Sequence, residues 1–157
     1  MNLFYTPEYA KTGDVIPFYN QKTKRFENYY LKNWNPDAPK DKIVYGWHQI
    51  ITEDNRIYKE TPTNIHGGTG SVIEVDGVYH MFYCTFDQNP PAQWARHATS
   101  KDLVHWEFLG WAFPEIPEEA VQWVQTHADG KGATNIWAPY IIPYKDKCRL
   151  YYCVSAF

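Results

Sequence analysis

Three carboxylates stand in strand-like surroundings in this 157-residue chain: Asp14 beside Gly13, Glu74 within Ser71–Val75, and Glu107 within His105–Leu109. A carboxylate held on a rigid element can act as nucleophile or general base, and a protonated partner as general acid. Each also has an ordinary reading. An aspartate beside a glycine is a frequent turn former, Glu74 fits a solvated strand position, and Glu107 falls in a phrase that belongs to an outer strand. Asp102, in Ser100-Lys-Asp-Leu103, reads as an Asx-type turn. The six histidines show no H-E-x-x-H or other metal spacing, so no metal and no cofactor is expected. Cys84, Cys148 and Cys153 lack C-x-x-C spacing and are odd in number, which predicts reduced thiols. Cys84 and Cys153 each follow a pair of aromatics, as small buried hydrophobes do.

The elements that must position these groups are strands. One strand, turn, strand phrase occurs three times. Its copies are Asp14–Tyr19 with Phe26–Leu31, Ser71–Val75 with Val78–Cys84, and Pro139–Tyr144 with Cys148–Cys153. Asp76-Gly77 between two β-branched and aromatic runs is the strongest hairpin signal in the chain. After each of the first two hairpins come two more strand-like runs, Ile43–Ile51 with Arg56–Tyr58, and Trp94–Thr99 with His105–Leu109. Four-stranded antiparallel units recurring at roughly 40 to 55 residues are the mark of a β-propeller, with a single antiparallel sandwich as the alternative. The pattern predicts an all-β fold: a first blade at about 13–61, a second at about 68–111, a loop over 112–134, and the first half of a third blade at about 135–157. Only Pro117–Gln125 has helix-like composition, inside that loop.

Composition narrows the function classes. Aromatics make up 18% of the chain, charged residues 21%, and the net charge is −3. With no basic cluster, a nucleic-acid surface is not expected. No apolar run reaches the roughly 18 residues that span a bilayer, and Met1–Tyr5 lacks a charged leader before an apolar stretch. The expectation is a soluble, cytoplasmic chain with no membrane partner.

Gly13–Tyr19, Gly68–Ile73 and Ala98-Thr-Ser-Lys-Asp-Leu-Val-His-Trp106, together with Gly46-Trp47-His48, resemble the five-bladed propellers of glycoside hydrolase family 32 over roughly residues 13–111. From Asn135-Ile-Trp-Ala-Pro139 onward the chain is more similar to the related family 43 of arabinanases and xylosidases. The resemblance implies hydrolysis of fructose- or arabinose-containing oligosaccharides by carboxylates on the innermost strands. Glycoside cleavage needs a nucleophile or base and a proton donor, about 5 Å apart for retention and roughly 6.5 to 9.5 Å apart for inversion. Asp14 matches the family 32 nucleophile, or the family 43 general base. The branch that covers more of the chain is the retaining family 32.

For sugar recognition the resemblance points to Trp47, His48, Thr69, Ser71, Trp137 and Tyr140. Indole and phenol faces stack on sugar rings while imidazole and hydroxyl groups bind their oxygens. Against this, tryptophans are commonly core residues, His48 fits a structural histidine, and Gly68 and Gly70 around Thr69 fit a tight strand start. Trp106 and Trp111 read as packing residues. One departure stands out: both families carry an aspartate near the third-blade phrase, and here the run is Trp137-Ala-Pro-Tyr140. That favours a competing reading, a sugar-binding propeller without hydrolysis, and leaves the general acid to a segment beyond Phe157.

Two and a half blades cannot close a ring, so a second chain or a missing C-terminal half is expected to complete it. The third unit ends on an apolar strand, Leu150–Val154, and an unpaired edge of that kind seeks a partner. Light scattering on the 157-residue chain is expected to report a dimer or larger species; a compact monomer of 18.5 kDa would mean that these strands are covered internally.

Overall fold

The computed structural model describes residues 5–33, 35–42, 45–53, 57–88 and 91–156. Among the expected strand residues, Ile43, Val44, Arg56 and Phe157 lie outside the described residues. Three antiparallel sheets follow one another along the chain. The first contains β1 (Lys11–Ile16), β2 (Tyr19–Asn20), β3 (Arg25–Asn33), β4 (Gly46–Ile51) and β5 (Lys59–Pro62), in the order β1-β3-β4-β5 with β2 also on β3. The second is a regular meander of β6 (Gly70–Val75), β7 (Val78–Gln88), β8 (Pro91–Ser100) and β9 (Trp106–Trp111). The third is the hairpin β10 (Asn135–Tyr144) and β11 (Lys147–Ser155). Between the second and third sheets runs one helix, α1 (Glu118–His127), where the sequence placed helical composition.

Local chemistry explains the turns. Val75 pairs with Val78 across Asp76 and Gly77, whose φ values of 50° and 84° are the left-handed pair that a two-residue hairpin requires. The third hairpin turns the same way in two residues, with Lys145 at φ 55°. The expected single strand over 14–19 is instead two pieces. Pro17 has no N–H to donate, so β1 stops at Ile16 and β2 resumes at Tyr19, while Phe18 still accepts a bond from the Glu27 N–H at 2.8 Å. The fourth strand of the first sheet is also displaced, from the expected 56–58 to Lys59–Pro62.

The first two sheets pack face to face around Ile16, Tyr29, Trp47, Met81 and Trp106, none more than 5% exposed. Side chains of period two supply this face: Tyr29 and Leu31 on β3, Tyr79, Met81 and Tyr83 on β7. Polar clamps fix its geometry. Tyr29 Oη donates to the Leu103 carbonyl at 2.7 Å, and Asn64 makes two 2.8 Å bonds, one each way, with the Trp106 backbone. Buried Glu27 accepts from Asn20, Thr23, Arg25 and Gln49, and Asn20 reaches Tyr79 Oη at 3.2 Å. A buried carboxylate is tolerable here because so many donors surround it.

Cys84 is buried as expected, but Cys153 is exposed: it lies on β11, the edge strand of the third sheet, which no further strand covers among the described residues. All three thiols are free.

Across β3, β4 and β5 one more cluster forms. Glu60 Oε1 accepts from Lys32 Nζ at 2.7 Å and lies 2.6 Å from His48 Nδ1. Lys32 already balances the carboxylate, and burial, reinforced by Lys32 and His66, holds the His48 pKa down to about 4 from an ordinary 6.5. The unfolded chain takes up a proton below pH 6.5 that the folded imidazole refuses, so this stability is complete above pH 6.5 and is lost as pH falls towards about 4. The loss should be on the order of 3 kcal/mol. Denaturant titrations at pH 7.5 and 4.5 are expected to show a smaller pH-dependent loss in His48→Gln than in the unaltered chain; equal slopes would refute a neutral buried His48. His80 and His97, also shifted down by burial, keep part of the slope in both proteins.

Candidate functional site

Of the strands that open the three sheets, β6 contacts both β1 and β10, and strand regularity is broken on β1 and β10. The β1–β3 register shifts between Thr12 and Val15, which frees Gly13 and Asp14 from the ladder. The β10–β11 register shifts between Trp137 and Tyr140, with Ala138 at φ 51°. Bulges of this kind re-aim a side chain. Between them β6 starts from a glycine-rich approach: a Cβ on Gly70 would stand 2.6 Å from the Phe82 carbonyl oxygen, and one on Gly68 2.9 Å from Cys84 Sγ. Those glycines are explained by the closeness of β7, and Thr69 stands between them, flanked by the Cys84 sulfur against Gly68 and the Phe82 carbonyl against Gly70.

Asp14 is exposed, and its Oδ2 accepts a 2.6 Å bond from Thr69 Oγ1. Just inside lies Cys84, whose N–H donates to the Thr69 carbonyl at 2.9 Å and whose carbonyl accepts from Gly68 at 2.7 Å. Burial pushes the Cys84 thiol pKa up, a backbone bond at Ala138 opposes that, and the Asp14 charge adds to the rise. One corner thus joins Asp14 of the first sheet, Thr69 and Cys84 of the second, and the Ala138 bulge of the third. Sequence reasoning missed Cys84 and Ala138 as parts of this corner; the signal was Pro139, which cannot sit regularly inside a paired strand.

The other expected contacts separate. Ser71 is 3% exposed, and its hydroxyl is spent on β10, donating to the Pro139 carbonyl at 3.2 Å and accepting the Ile141 N–H at 2.9 Å. It latches the second sheet to the third and has no surface left for a ligand. Trp47 has 0% exposure and belongs to the core between the sheets, while His48 at 4% is committed to the Glu60 cluster. Both lie on β4, two strands away from β1. In this structure Trp47 and His48 are buried on β4, and the Ser71 hydroxyl is engaged by β10. Trp137 is half-buried on β10 opposite Cys153, and Tyr140, just past the bulge, is 56% exposed.

Asp102 performs the turn role read from the sequence. Its Oδ1 accepts from the Val104 and His105 N–H groups at 2.9 and 2.8 Å, and Oδ2 lies 2.7 Å from His105 Nδ1. These bonds, the His105 contact first, hold its carboxyl well below the usual range. Ser100 Oγ accepts the Leu103 N–H at 2.9 Å, so the Ser-x-Asp-Leu-x-His-Trp phrase delivers Leu103 and Trp106 into the core. Among the described residues no group of three His, Cys, Asp or Glu side chains could hold a metal ion, and no helix is long and apolar enough to cross a membrane.

Comparison with known families matches residues 60–140 to the glycosyl hydrolases family 32 N-terminal domain. The matched stretch runs from β5 through the whole second sheet to Tyr140, so it includes the Trp137-Ala-Pro phrase that had pointed towards family 43. It takes in Thr69, Cys84 and the Ala138 bulge, and it begins after Asp14. With more than half its length matched, and with three antiparallel sheets meeting at a shared corner, the chain belongs to glycosyl hydrolase family 32 through that family's N-terminal domain.

Proposed function

We propose that the three sheets are two blades and the opening hairpin of a third in a five-bladed propeller that hydrolyses fructose- or arabinose-containing oligosaccharides with retention of configuration. Further blades, from a following segment or a second chain, close the ring. The observation that carries this reading is the exposed Asp14 carboxylate, lifted from the β1 ladder by a bulge and held by Thr69 at 2.6 Å beside the start of β10. A nucleophile needs one oxygen for attack and gains from having the other fixed. In the proposed first step Asp14 bonds to the anomeric carbon as the glycosidic C–O bond breaks, and a protonated carboxyl supplies the proton to the leaving oxygen. Water then reverses the sequence, releasing the sugar and restoring both carboxyl groups.

Strands β1, β6 and β10 contain two carboxylates, Asp14 and Glu74. Glu74 pairs with Lys22 at 3.1 Å, next to the turn at the opposite end of β6, so the proton donor in this mechanism comes from outside these strands. The family 32 match through Tyr140 favours the retaining branch over an inverting arabinosidase or xylosidase of the family 43 kind. One observation favours a second reading, a sugar-binding propeller without turnover: Tyr140 puts an exposed phenol where both families carry an aspartate.

Incubation with fructo- and arabino-oligosaccharides, followed by product NMR, separates these readings. We expect release of sugar with retained configuration, lowered at least about 10³-fold in Asp14→Asn. Turnover untouched by that substitution would remove Asp14 from the mechanism. Calorimetric binding without released product would favour the sugar-binding reading.

A further inference from the structure

The ladder partner of β10 is β11, and at the bulge that pairing lapses between Trp137 and Tyr140. Pro139 stands in the gap, fully buried and with no N–H of its own. The backbone on either side of Tyr140 is held from another sheet instead. Ser71 Oγ of β6 donates to the Pro139 carbonyl at 3.2 Å and accepts the Ile141 N–H at 2.9 Å. A hydroxyl can give and take a bond at once, so this one side chain does for β10 what a neighbouring strand would do. Both bonds are shielded from solvent, since Ser71 is 3% exposed.

The other end of this link is rigid. Ser71 lies two residues after Thr69, whose hydroxyl holds Asp14 Oδ2 at 2.6 Å. Gly70 between them is pressed against β7, and the Thr69 carbonyl accepts the Cys84 N–H at 2.9 Å. The bulge reaches the same place. The Cys84 thiol is bonded to backbone at Ala138 and feels the Asp14 charge, so the opening of β10 borders the Asp14 corner. The run Thr69-Gly70-Ser71 therefore grips the first sheet at Asp14 and the third sheet on both sides of Tyr140. Tyr140 keeps 56% of its surface exposed, so the bonds that fix its backbone do not serve to bury its side chain. They leave a phenol on offer, with an apolar ring for sugar C–H bonds and a hydroxyl for sugar oxygens.

We infer that Ser71 is a positioning residue for the sugar site: it sets Tyr140, the group that touches the substrate, at a fixed offset from the Asp14 carboxylate. This rests on the hydrolase reading above and adds the residue through which the third sheet acts. Displacing a contact by about 1 Å can cost on the order of a hundredfold in rate, so loss of the Ser71 link is expected to register in turnover as well as in stability.

A double-mutant cycle tests it, with whichever of fructo- and arabino-oligosaccharides the 157-residue chain hydrolyses, on the unaltered chain, Ser71→Ala, Tyr140→Ala and the double variant. Each single substitution is expected to lower kcat/KM about tenfold, and the double variant to be no slower than the slower single one, because Ser71 acts through Tyr140. A loss of about a hundredfold in the double variant, the product of two independent effects, refutes the positioning role while the hydrolase reading stands. So does an unchanged kcat/KM in Ser71→Ala, or a loss there that Tyr140→Ala does not share. Melting curves show whether each variant folds; if Ser71→Ala does not, Ser71→Cys, whose thiol bonds only weakly, takes its place and the same comparison decides. No turnover by the unaltered chain overturns both readings together.

Discussion

Everything in this molecule depends on two sheets being pressed face to face at a fixed offset. The apolar part of that contact, Tyr29, Trp47, Met81 and Trp106, supplies most of the free energy and little of the direction, since burial of apolar area is not directional. Direction comes from a few hydrogen bonds crossing long sequence separations: Tyr29 to Leu103, Asn20 to Tyr79, and Asn64 on both sides of Trp106. With these in place β1 and β6 can only start side by side. Asp14 then meets Thr69 although 55 residues separate them.

The corner itself is built on departures from regular strand structure. β1 and β10 each lose register at this corner, and β6 reaches the same place through glycines that let it ride against β7. Regular ladders would have turned the Asp14 and Ala138 positions into ordinary paired residues. A bulge costs some pairing, and the Ser71 hydroxyl recovers part of it by bonding to the loosened backbone on both sides of Tyr140.

Much of the fold was legible because turn chemistry is local. Asp76-Gly77 specifies its own backbone, and Ser100-Lys-Asp-Leu specifies a capped loop whose bonds run over two or three residues. The site was legible only in part. Asp14 and Thr69 each stand beside a glycine, a signal visible in the sequence, but their contact is a tertiary fact. Trp47 and His48 look like ligand residues by type alone; that both lie on β4, two strands from β1, is set by strand order, and no residue type encodes that. The Ser71 contact was hidden for a related reason, because a hydroxyl between glycine and valine gives no hint that its partner is 68 residues away.

The meander order bears on how the chain reaches this state. Within each sheet the strands bond to partners close in sequence, β1 to β3 across the two-residue β2 and the others to their sequence neighbours, so pairing closes only short loops, and the first sheet is complete by Pro62. A chain emerging N-terminus first can assemble it before β6 exists. Until then the face bearing Tyr29, Leu31 and Trp47 has nothing to cover it, and that interval, set by the time needed to produce β7 through Trp106, is when the nascent chain is most prone to aggregate.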